Sequence, residues 1–345
     1  MWVKSLSLHE FRNYSSVELE FQKGINYIQG LNGSGKTSLV EAIGLLSMCK
    51  SIRSNDEKEI IRFNSTSVVV KASLINQIQR DFKIVISQDG KYIELDGNEV
   101  KKVSEIAGIA KVISFIPKDV ELFKDIPAKR RRFLDLNLSM LDKVYLKLLS
   151  EYNRYLVEVR NLIKQDKVDF LTLDVLLKEM AKRGIVLQNK RECFISELNK
   201  NLSSISRYFT EDKILMKLNY LPNVICKNID DYFIQIRDKI VDSLNGKNRI
   251  VISGVHLDDF SLDYNSQDLA LYGSQGQNRL SVICLKLSLF RMIKEQFNEE
   301  PIVILDDVLS ELDINHQNKL MKLLNQIEQV FITGTKFDLK QEVSL

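Results

Sequence analysis

The chain has 345 residues, of which 44% are hydrophobic and 28% are charged. This is the composition of a globular protein with an ample core, and the length suggests two domains. The formal net charge of +3 is too small to indicate a nucleic-acid partner, which has to be argued from local basic clusters. The four cysteines lie far apart, with no C-x-x-C pair, so they exclude a disulfide framework or a cysteine metal site and indicate reduced thiols: Cys49, Cys193, Cys226 and Cys284.

No segment of the sequence predicts a membrane anchor. The N-terminus lacks the apolar core of a signal peptide. The most apolar stretch, residues 282–290, contains Lys286 and is shorter than a membrane span. We therefore expect a cytoplasmic protein without a membrane partner.

The start of the chain alternates between apolar and polar residues, which predicts β-strands in residues 3–8, 17–21 and 25–28. The third strand runs directly into a glycine-rich segment, and residues 37–46 beyond it have helical spacing. A glycine-rich turn between a strand and a helix is the context that a phosphate-binding P-loop requires.

The glycine-rich segment is a complete P-loop, made of Gly30, Leu31, Asn32, Gly33, Ser34, Gly35, Lys36 and Thr37. Backbone amides at the N-terminus of a helix point at bound phosphate, and the helix end adds about half a positive charge. Lys36 is expected to pair with the β- and γ-phosphates of ATP, and the Thr37 hydroxyl to bind Mg²⁺. A glycine turn that binds nothing is the alternative, and the complete match between the predicted strand and helix argues against it.

The middle of the chain changes from strands to helices. Residues 68–100 predict β-hairpins, with turns at Asp89-Gly90 and Asp96-Gly97. From about residue 128, apolar residues recur at helical spacing, which predicts a long amphipathic helix over residues 141–162. Further helix is predicted over residues 173–202, with an interruption near Gly184.

A second acidic motif follows far downstream. Residues 302–305 are entirely apolar, which predicts a buried strand. Asp306 ends it, 270 residues after Lys36, and Asp307 follows. Asp306 is placed to hold Mg²⁺, and Asp307 to orient the attacking water. The alternative is a pair of turn or N-capping aspartates. A kinase or GTPase keeps its acidic motif within one domain's length, so this separation predicts an ATPase head in which the two ends of the chain fold together.

Ser274, Gln275 and Gly276 open a strongly apolar helix, and Ser274 is a natural N-cap. By itself this motif indicates only a capped core helix. Together with the P-loop and the acidic motif it looks like the signature of ABC-type ATPases, in which the serine hydroxyl and glycine amides meet the γ-phosphate bound by the partner subunit. Residues 310–313 look like the accompanying D-loop. The combination implies an ATP-dependent homodimer in which Ser274 acts in trans.

These patterns predict an α/β fold, namely an ABC-type P-loop ATPase head assembled from both chain ends, with an inserted, mainly helical domain. The predicted head comprises residues 1–112 together with 296–345. The predicted inserted domain comprises residues 113–295 and carries the signature near its end.

A basic run opens the predicted helical region and consists of Lys129, Arg130, Arg131 and Arg132. Charge runs are usually solvated helix faces. A run of four at the start of an inserted domain also suits contact with DNA phosphates. Both interpretations stay open at the level of the sequence.

Taken together, these motifs resemble the RecF family. Matching segments lie in the family's order along nearly the whole chain: residues 8–14, the P-loop, 51–53, 58–61, 115–119, 130–135, 152–154, 273–280 and 302–313. The sequences of the signature and of the aspartate pair are closer to those of this family than to those of transporters.

The resemblance implies a protein of DNA replication, recombination and repair that binds ATP and Mg²⁺. Members bind double-stranded DNA near gaps as ATP-bound dimers, work with RecR and RecO to load RecA, and support replication restart and the SOS response. It also implies a weak, DNA-stimulated ATPase whose slow hydrolysis resets the dimer. Arg12 and Asn13 are then expected near the nucleotide, with Gln275 and Gly276 acting beside Ser274 on the partner's ATP.

The chain departs from related patterns in three places. The family often has a Gly-Pro-His-Arg-Asp-Asp run, whereas residues 254–259 place Leu257 at the arginine, so the resemblance does not extend to a phosphate contact by that arginine. His256 is expected to be a partly buried hydrogen-bonding residue. Most related ATPases have glutamate where this chain has Asp307, and the shorter side chain predicts slow hydrolysis. Transporters have a switch histidine near Thr333 and Thr335, so we expect a threonine to sense the γ-phosphate here.

Two other functions remain possible on the sequence alone. The chain can be an ATP-dependent enzyme acting on another substrate, such as a transporter-type or kinase-like NTPase, or a binding scaffold in which ATP is only a structural clamp. Stimulation of turnover by duplex DNA separates the first alternative from the repair interpretation. A tighter, trapped dimer of Asp307→Asn separates the second.

Overall fold

The computed structural model describes residues 1–54, 56–246 and 251–335, together with the backbone of residues 343–344. Its strands, in chain order, are β1 (Trp2–Phe11), β2 (Tyr14–Glu20), β3 (Gly24–Gln29), β4 (Ser67–Asn76), β5 (Ile78–Ser87), β6 (Lys91–Leu95), β7 (Asn98–Glu99), β8 (Val112–Phe115), β9 (Met216–Leu221), β10 (Asp259–Tyr264), β11 (Gln267–Asp268), β12 (Ile302–Asp306), β13 (Gln329–Gly334) and β14 (Val343–Ser344).

The helices are α1 (Lys36–Met48), α2 (Val103–Ile106), α3 (Pro127–Leu141), α4 (Lys143–Leu162), α5 (Phe170–Thr210), α6 (Ile229–Asn245), α7 (Leu269–Tyr272), α8 (Gln275–Phe297) and α9 (Ile314–Leu324). Within the described ranges, every helix is too short or too polar to span a lipid bilayer.

The chain divides into two compact units. The first consists of Met1–Val120, Ser204–Lys213 and Gln275–Leu345, and the second of Glu121–Ser203 and Ile214–Ser274. Both ends of the chain belong to the first unit. Three parts of the predicted inserted domain lie in the first unit instead: residues 113–120, 204–213 and 275–295. The last of these belongs to α8, whose buried apolar side chains pack against β8.

A parallel sheet in the first unit brings the sequence motifs to one edge. Its strand order is β14-β3-β13-β12-β8. Every residue of β12 and β13 is buried, as predicted for the apolar runs. In register, Asp306 lies opposite Thr333, and Gly334 lies opposite Gln29, so the ends of β12, β13 and β3 are level. The P-loop follows β3 directly, and the P-loop and Asp306 therefore meet at the carboxyl edge of the sheet.

An antiparallel sheet completes the first unit, with the order β2-β1-β4-β5-β6-β7. The predicted hairpin turns are confirmed: residues 88–90 join β5 to β6, and Asp96 and Gly97, which have φ angles of 53° and 79°, join β6 to β7. The buried faces of this sheet and of α1 share one apolar core. This core holds α1, and with it the P-loop, in place.

The second unit is mainly helical, as the sequence predicts, and consists largely of α3, α4, α6 and most of α5. It also contains an antiparallel sheet with the order β11-β10-β9, which the helical spacing of the surrounding residues did not reveal. Strand β10 begins at Asp259, so this small sheet fixes the position of the residues that precede it.

The predicted interruption near Gly184 is wrong, because α5 runs without a break from Phe170 to Thr210. A Cβ atom at position 184 would lie 2.6 Å from the ring of Tyr232. Tyr232 is fully buried, and its hydroxyl accepts a hydrogen bond from the N–H of Val255 at 3.0 Å. Gly184 therefore allows α5 and α6 to pack closely and does not end the helix.

We expect Gly184→Ala to destabilise the protein, although alanine usually stabilises a helix by up to about 1 kcal/mol relative to glycine. The clash with the immobile Tyr232 ring costs about 1–3 kcal/mol, so the net loss is roughly 1 kcal/mol. Urea unfolding measures the change, with Ser196→Ala on the exposed face of the same helix as the control. A higher unfolding midpoint for Gly184→Ala than for the wild type would contradict the packing explanation.

Candidate nucleotide-binding site

The P-loop crosses from β3 to α1 as a tight turn. Gly33 and Gly35 have φ angles of 84° and 104°, which residues other than glycine rarely adopt. The ammonium group of Lys36 donates hydrogen bonds to the carbonyls of Gly30 at 2.7 Å and Leu31 at 2.9 Å. Because α1 begins at Lys36, its N-terminal amides open onto this loop. The arrangement suits the phosphates of a nucleotide.

Tyr14 fixes the loop from one side. A Cβ atom at Gly35 would lie 2.8 Å from the Tyr14 hydroxyl, so this position has no room for a side chain. The Tyr14 hydroxyl is buried without a hydrogen-bond partner, and burial raises its pKa. Tyr14 thus acts through its shape, by packing against the loop.

Asp306 and Thr37 lie together although they are far apart in sequence. The Thr37 hydroxyl donates to Asp306 Oδ1 at 2.9 Å, and the Thr333 hydroxyl donates to the same oxygen at 2.8 Å. Burial raises the pKa of the Asp306 carboxyl, while the bonds from Thr333 and Thr37 and the charge of Arg53 oppose this change. The site is therefore a buried carboxylate held by two hydroxyls.

This donor set fits Mg²⁺. The Thr37 hydroxyl donates its hydrogen bond to Asp306, so the lone pairs of the Thr37 oxygen are left for a cation. Mg²⁺ usually keeps several waters and binds through one or two carboxylates and substrate phosphates. Thr37 and Asp306, which the hydrogen bond at 2.9 Å brings together, are the residues that would hold Mg²⁺ beside a nucleotide.

Asp307 adopts a left-handed backbone conformation, with φ of 54°, and its side chain is exposed. Its N–H donates to the Thr333 hydroxyl at 3.0 Å. The Ser310 hydroxyl lies 2.9 Å from the Asp307 carbonyl and 3.1 Å from Asp307 Oδ1. The turn after β12 therefore presents the Asp307 carboxylate toward solvent, where it can accept a hydrogen bond from water.

Arg12 lies in the same unit, and its guanidinium binds groups of the protein itself. Its Nε and Nη2 donate to the two carboxylate oxygens of Glu41 at 3.1 Å and 2.9 Å, and Nη1 donates to the carbonyl of Glu59 at 2.7 Å. Asn13 approaches the P-loop more directly, since its amide donates to the carbonyl of Gly33 at 3.4 Å. Asn13 thus touches the loop, and Arg12 supports α1.

Glu41 is a residue that the sequence interpretation missed. It is fully buried on α1, where it contacts Arg12, Ser51 and Arg53. The available signal was a single acidic residue inside the apolar run of residues 39–46. A buried carboxylate needs partners, and Glu41 gathers segments before and after the P-loop around α1.

The predicted signature residues lie at the start of α8. Ser274 directly precedes the helix, Gln275 and Gly276 are in its first turn, and all three are exposed. Further along the helix, Arg279 Nε lies 2.8 Å from Glu311 Oε2, and Arg279 Nη1 donates to the Glu311 carbonyl at 3.2 Å. The predicted D-loop is therefore bonded to the helix that follows the signature.

Comparison with known proteins decides the family. A family model described as the RecF/RecN/SMC N-terminal domain matches residues 2–343. The DNA replication and repair protein RecF of Staphylococcus aureus (strain JH9) is 34% identical, and the match covers 98% of this chain and 94% of that protein. The chain belongs to the RecF family.

Solved structures agree with this assignment. One described as "the recombination mediator protein RecF-ATP in RecFOR pathway" has a TM-score of 0.90 at 30% identity and covers 98% of this chain and 93% of that chain. An Smc head domain from Pyrococcus furiosus has a TM-score of 0.54 at 17% identity, over 97% and 90% of the two chains, which shows likeness of fold. The predicted ABC-type ATPase head fold is confirmed.

The basic run of this RecF-family chain is less available than its sequence suggests. Arg130 is buried and pairs with both carboxylate oxygens of Asp259, at 2.7 Å and 2.8 Å. Its Nη1 also donates to the carbonyls of residues 122, 123 and 125. Arg131 donates to the carbonyl of Asp258 at 3.2 Å, and Arg132 likewise interacts within the chain.

Lys129 is half-exposed and pairs with Asp125, one helical turn away. The interpretation of the run as four phosphate contacts is therefore corrected for Arg130, which is an internal anchor. Arg130 is the buried side chain of the run, and the sequence alone does not reveal which of the four residues is buried. Lys129, Arg131 and Arg132 remain predicted DNA contacts.

The segment with Leu257 in place of the family arginine is built into the second unit. Asp258 is fully buried and pairs with the buried Arg191 at 3.1 Å, while burial raises its pKa and the bonds from Asn223 and Tyr220 oppose the change. The carboxylates of Asp258 and Asp259 thus each pair with one arginine, Arg191 and Arg130. His256 has the expected hydrogen-bonding role, since its Nδ1 lies 2.9 Å from the Tyr152 hydroxyl.

Arg130→Met is expected to lower the unfolding free energy by roughly 3 kcal/mol, because it leaves the carboxylate of Asp259 and several carbonyls without their partner. Lys129→Gln, next to it in the run, is the matched control and is expected to leave the urea midpoint unchanged. Urea unfolding followed by circular dichroism measures both. If the two variants unfold at the same midpoint, Arg130 does not have the structural role described here.

His256 makes the stability of the folded protein depend on pH in the acidic range. Burial, followed by the positive charges of Arg160 and Arg131, lowers its pKa to about 4. The unfolded chain therefore binds a proton below about pH 6.5 while the folded chain does not, so stability is present above this pH and is lost as the pH falls toward 4.

We expect the wild type to lose about 1–2 kcal/mol more than His256→Gln between pH 7 and pH 5. The glutamine amide can still accept a hydrogen bond from Tyr152 but does not titrate. Unfolding free energies of both proteins at the two pH values give the comparison. Equal losses would show that His256 is already protonated in the folded state at pH 5.

Proposed function

We propose that this protein is an ATP- and Mg²⁺-dependent DNA-repair ATPase that dimerises on ATP and binds double-stranded DNA near gaps. It acts in the cytoplasm with RecR and RecO to assist the loading of RecA, and it supports recombination, replication restart and the SOS response. Slow, DNA-stimulated hydrolysis then reopens the dimer.

The meeting of Thr37 with Asp306 carries the proposal. It puts a hydroxyl and a carboxylate beside the P-loop lysine and the N-terminus of α1, which is the combination needed for a metal-bound triphosphate. Lys36 would hold the β- and γ-phosphates, and Mg²⁺ would neutralise charge that develops on them. Solved relatives described as RecF-ATP and RecF-ATPrS support the choice of ATP.

The relatives support the place in DNA repair. Proteins named DNA replication and repair protein RecF match 98% of the chain, and solved relatives are described as recombination mediators in the RecFOR pathway. Lys129 offers a partly exposed positive charge for a DNA phosphate. Arg130 is excluded from that role by its internal contacts.

The exposure of the signature supports dimerisation. Ser274, Gln275 and Gly276 are all solvent-accessible, and a Cβ atom at Gly276 would meet open space. We propose that these residues bind the γ-phosphate held by Lys36 of the second copy, with Ser274 donating its hydroxyl proton. Two ATP molecules would then join two chains.

Asp307 is proposed to orient the attacking water. Its carboxylate is exposed at the carboxyl edge of the parallel sheet, beside the residues that would hold Mg²⁺. Aspartate reaches one methylene less far than the glutamate of related ATPases. The water is therefore held less tightly, which agrees with a proposal of slow turnover.

We expect Ser274→Arg to abolish ATP-dependent dimerisation while leaving ATP binding to the monomer unchanged, because the exposed arginine blocks the partner's phosphate without touching Lys36. Turnover should fall by about a hundredfold, the loss typical of one preorganised donor. Sedimentation velocity with and without ATP and gapped duplex measures the oligomeric state. Ser196→Arg, another exposed serine, should dimerise like the wild type.

An intact ATP dimer of Ser274→Arg would refute the proposed role of the signature. Duplex DNA should also stimulate hydrolysis by the wild type. A wild type that hydrolyses ATP equally well without DNA would favour an ATPase that acts on another substrate.

A further inference from the structure

We propose that Thr333 is a positioning residue that holds the metal-binding carboxylate of Asp306 and the turn of Asp307 in one arrangement. This inference rests on the proposed function of Asp306 and Asp307. It assigns to Thr333 a role different from the γ-phosphate contact expected from the sequence.

The position of Thr333 follows from the sheet. Strands β12 and β13 are parallel neighbours, and Asp306 lies directly opposite Thr333 in their register. Thr333 is only 2% exposed, so its hydroxyl is buried beside the end of β12. A polar group in such a place needs hydrogen bonds, and the end of β12 provides both partners.

The Thr333 hydroxyl both donates one hydrogen bond and accepts another. It donates its single proton to Asp306 Oδ1 at 2.8 Å and accepts the N–H of Asp307 at 3.0 Å. A hydroxyl has one proton to donate. While these bonds persist, Thr333 therefore has no proton for a phosphate oxygen, and it acts on the nucleotide only through the two aspartates.

Each of the two bonds holds a different group in place. The bond to Asp306 Oδ1, together with that from Thr37, fixes the carboxylate through one oxygen, so that the other oxygen would serve water or Mg²⁺. The bond from Asp307 stabilises a residue with φ of 54°, a conformation that costs roughly 1 kcal/mol for a residue other than glycine. One side chain thus couples the metal ligand to the water-orienting residue.

Threonine suits this role better than serine. Its branched Cβ restricts χ1 on a strand, so the hydroxyl is preorganised toward β12. Valine has the same shape without the hydroxyl, which leaves the N–H of Asp307 without its acceptor and Asp306 with one bond fewer. Thr333→Val and Thr333→Ser therefore separate the hydroxyl from the packing.

The first test uses protein without nucleotide or metal. Residue-resolved hydrogen exchange by NMR reports the Asp307 amide directly. We expect Thr333→Val to speed its exchange by about tenfold, the equivalent of one lost hydrogen bond, and Thr333→Ser to restore most of the protection. Unchanged exchange in Thr333→Val, with thermal unfolding like that of the wild type, would overturn the proposal.

The second test compares ADP with ATP at a series of Mg²⁺ concentrations. If Thr333 positions Asp306, the valine variant needs about tenfold more Mg²⁺ for half-maximal affinity with both nucleotides. If it contacts the γ-phosphate instead, ATP binding weakens and ADP binding does not, which would overturn the inference. Thr333→Ser should behave like the wild type with both nucleotides.

Failure of this inference can be told apart from failure of the proposed function. A wild type that binds neither ADP nor ATP would overturn the proposed function. The exchange of the Asp307 amide in the nucleotide-free protein would still decide whether Thr333 holds the turn.

Discussion

The hydrogen bond from Thr37 to Asp306 joins two residues that are 269 positions apart. The candidate site depends on this contact, because it brings the P-loop and the acidic motif together. It is possible because β3, β13 and β12 are parallel and end level with one another. Between the two motifs the chain leaves this sheet, returns to it at β8, and passes through the entire second unit before it returns again at β12. The last strands must therefore pair before the P-loop acquires its carboxylate, and damage to either chain end disables the same site.

Buried charge is used in the same way in both units. Glu41 and Asp306 in the first unit and Asp258 in the second are almost completely buried, and each is surrounded by donors. Isolated, such carboxylates would be strongly disfavoured, so each one specifies a single arrangement of the segments that supply its partners. Glu41 gathers the segments around α1, whereas Asp306 gathers the ends of the parallel strands. Specificity of arrangement is what a site for a metal and a triphosphate needs.

Features that depend on local spacing could be predicted from the sequence, and features that depend on distant partners could not. The P-loop, the apolar strand before Asp306 and the hairpin turns follow from residue order over a few positions. Arg130 looked exposed because its partner Asp259 is 129 residues away. Gly184 looked like a helix break because the ring that fills its space belongs to another helix. The role of Thr333 depends on the register between β12 and β13, which cannot be predicted from a single sequence.

The path from the signature to the hydrolytic residue runs through one helix. Asp307 is bonded to Ser310, the next residue, Glu311, is paired with Arg279, and Arg279 lies on α8, which begins just after Ser274. In the proposed dimer, Ser274 would touch the ATP of the second copy while the same helix holds the turn beside Asp307 of its own site. Binding at one nucleotide would then bias the geometry at the other through the peptide bond from Ser274 to Gln275 and the hydrogen-bonded contacts of α8 in the first unit. A carboxylate in a left-handed turn, fixed by hydrogen bonds and not by packing, is well suited to respond to such a small displacement.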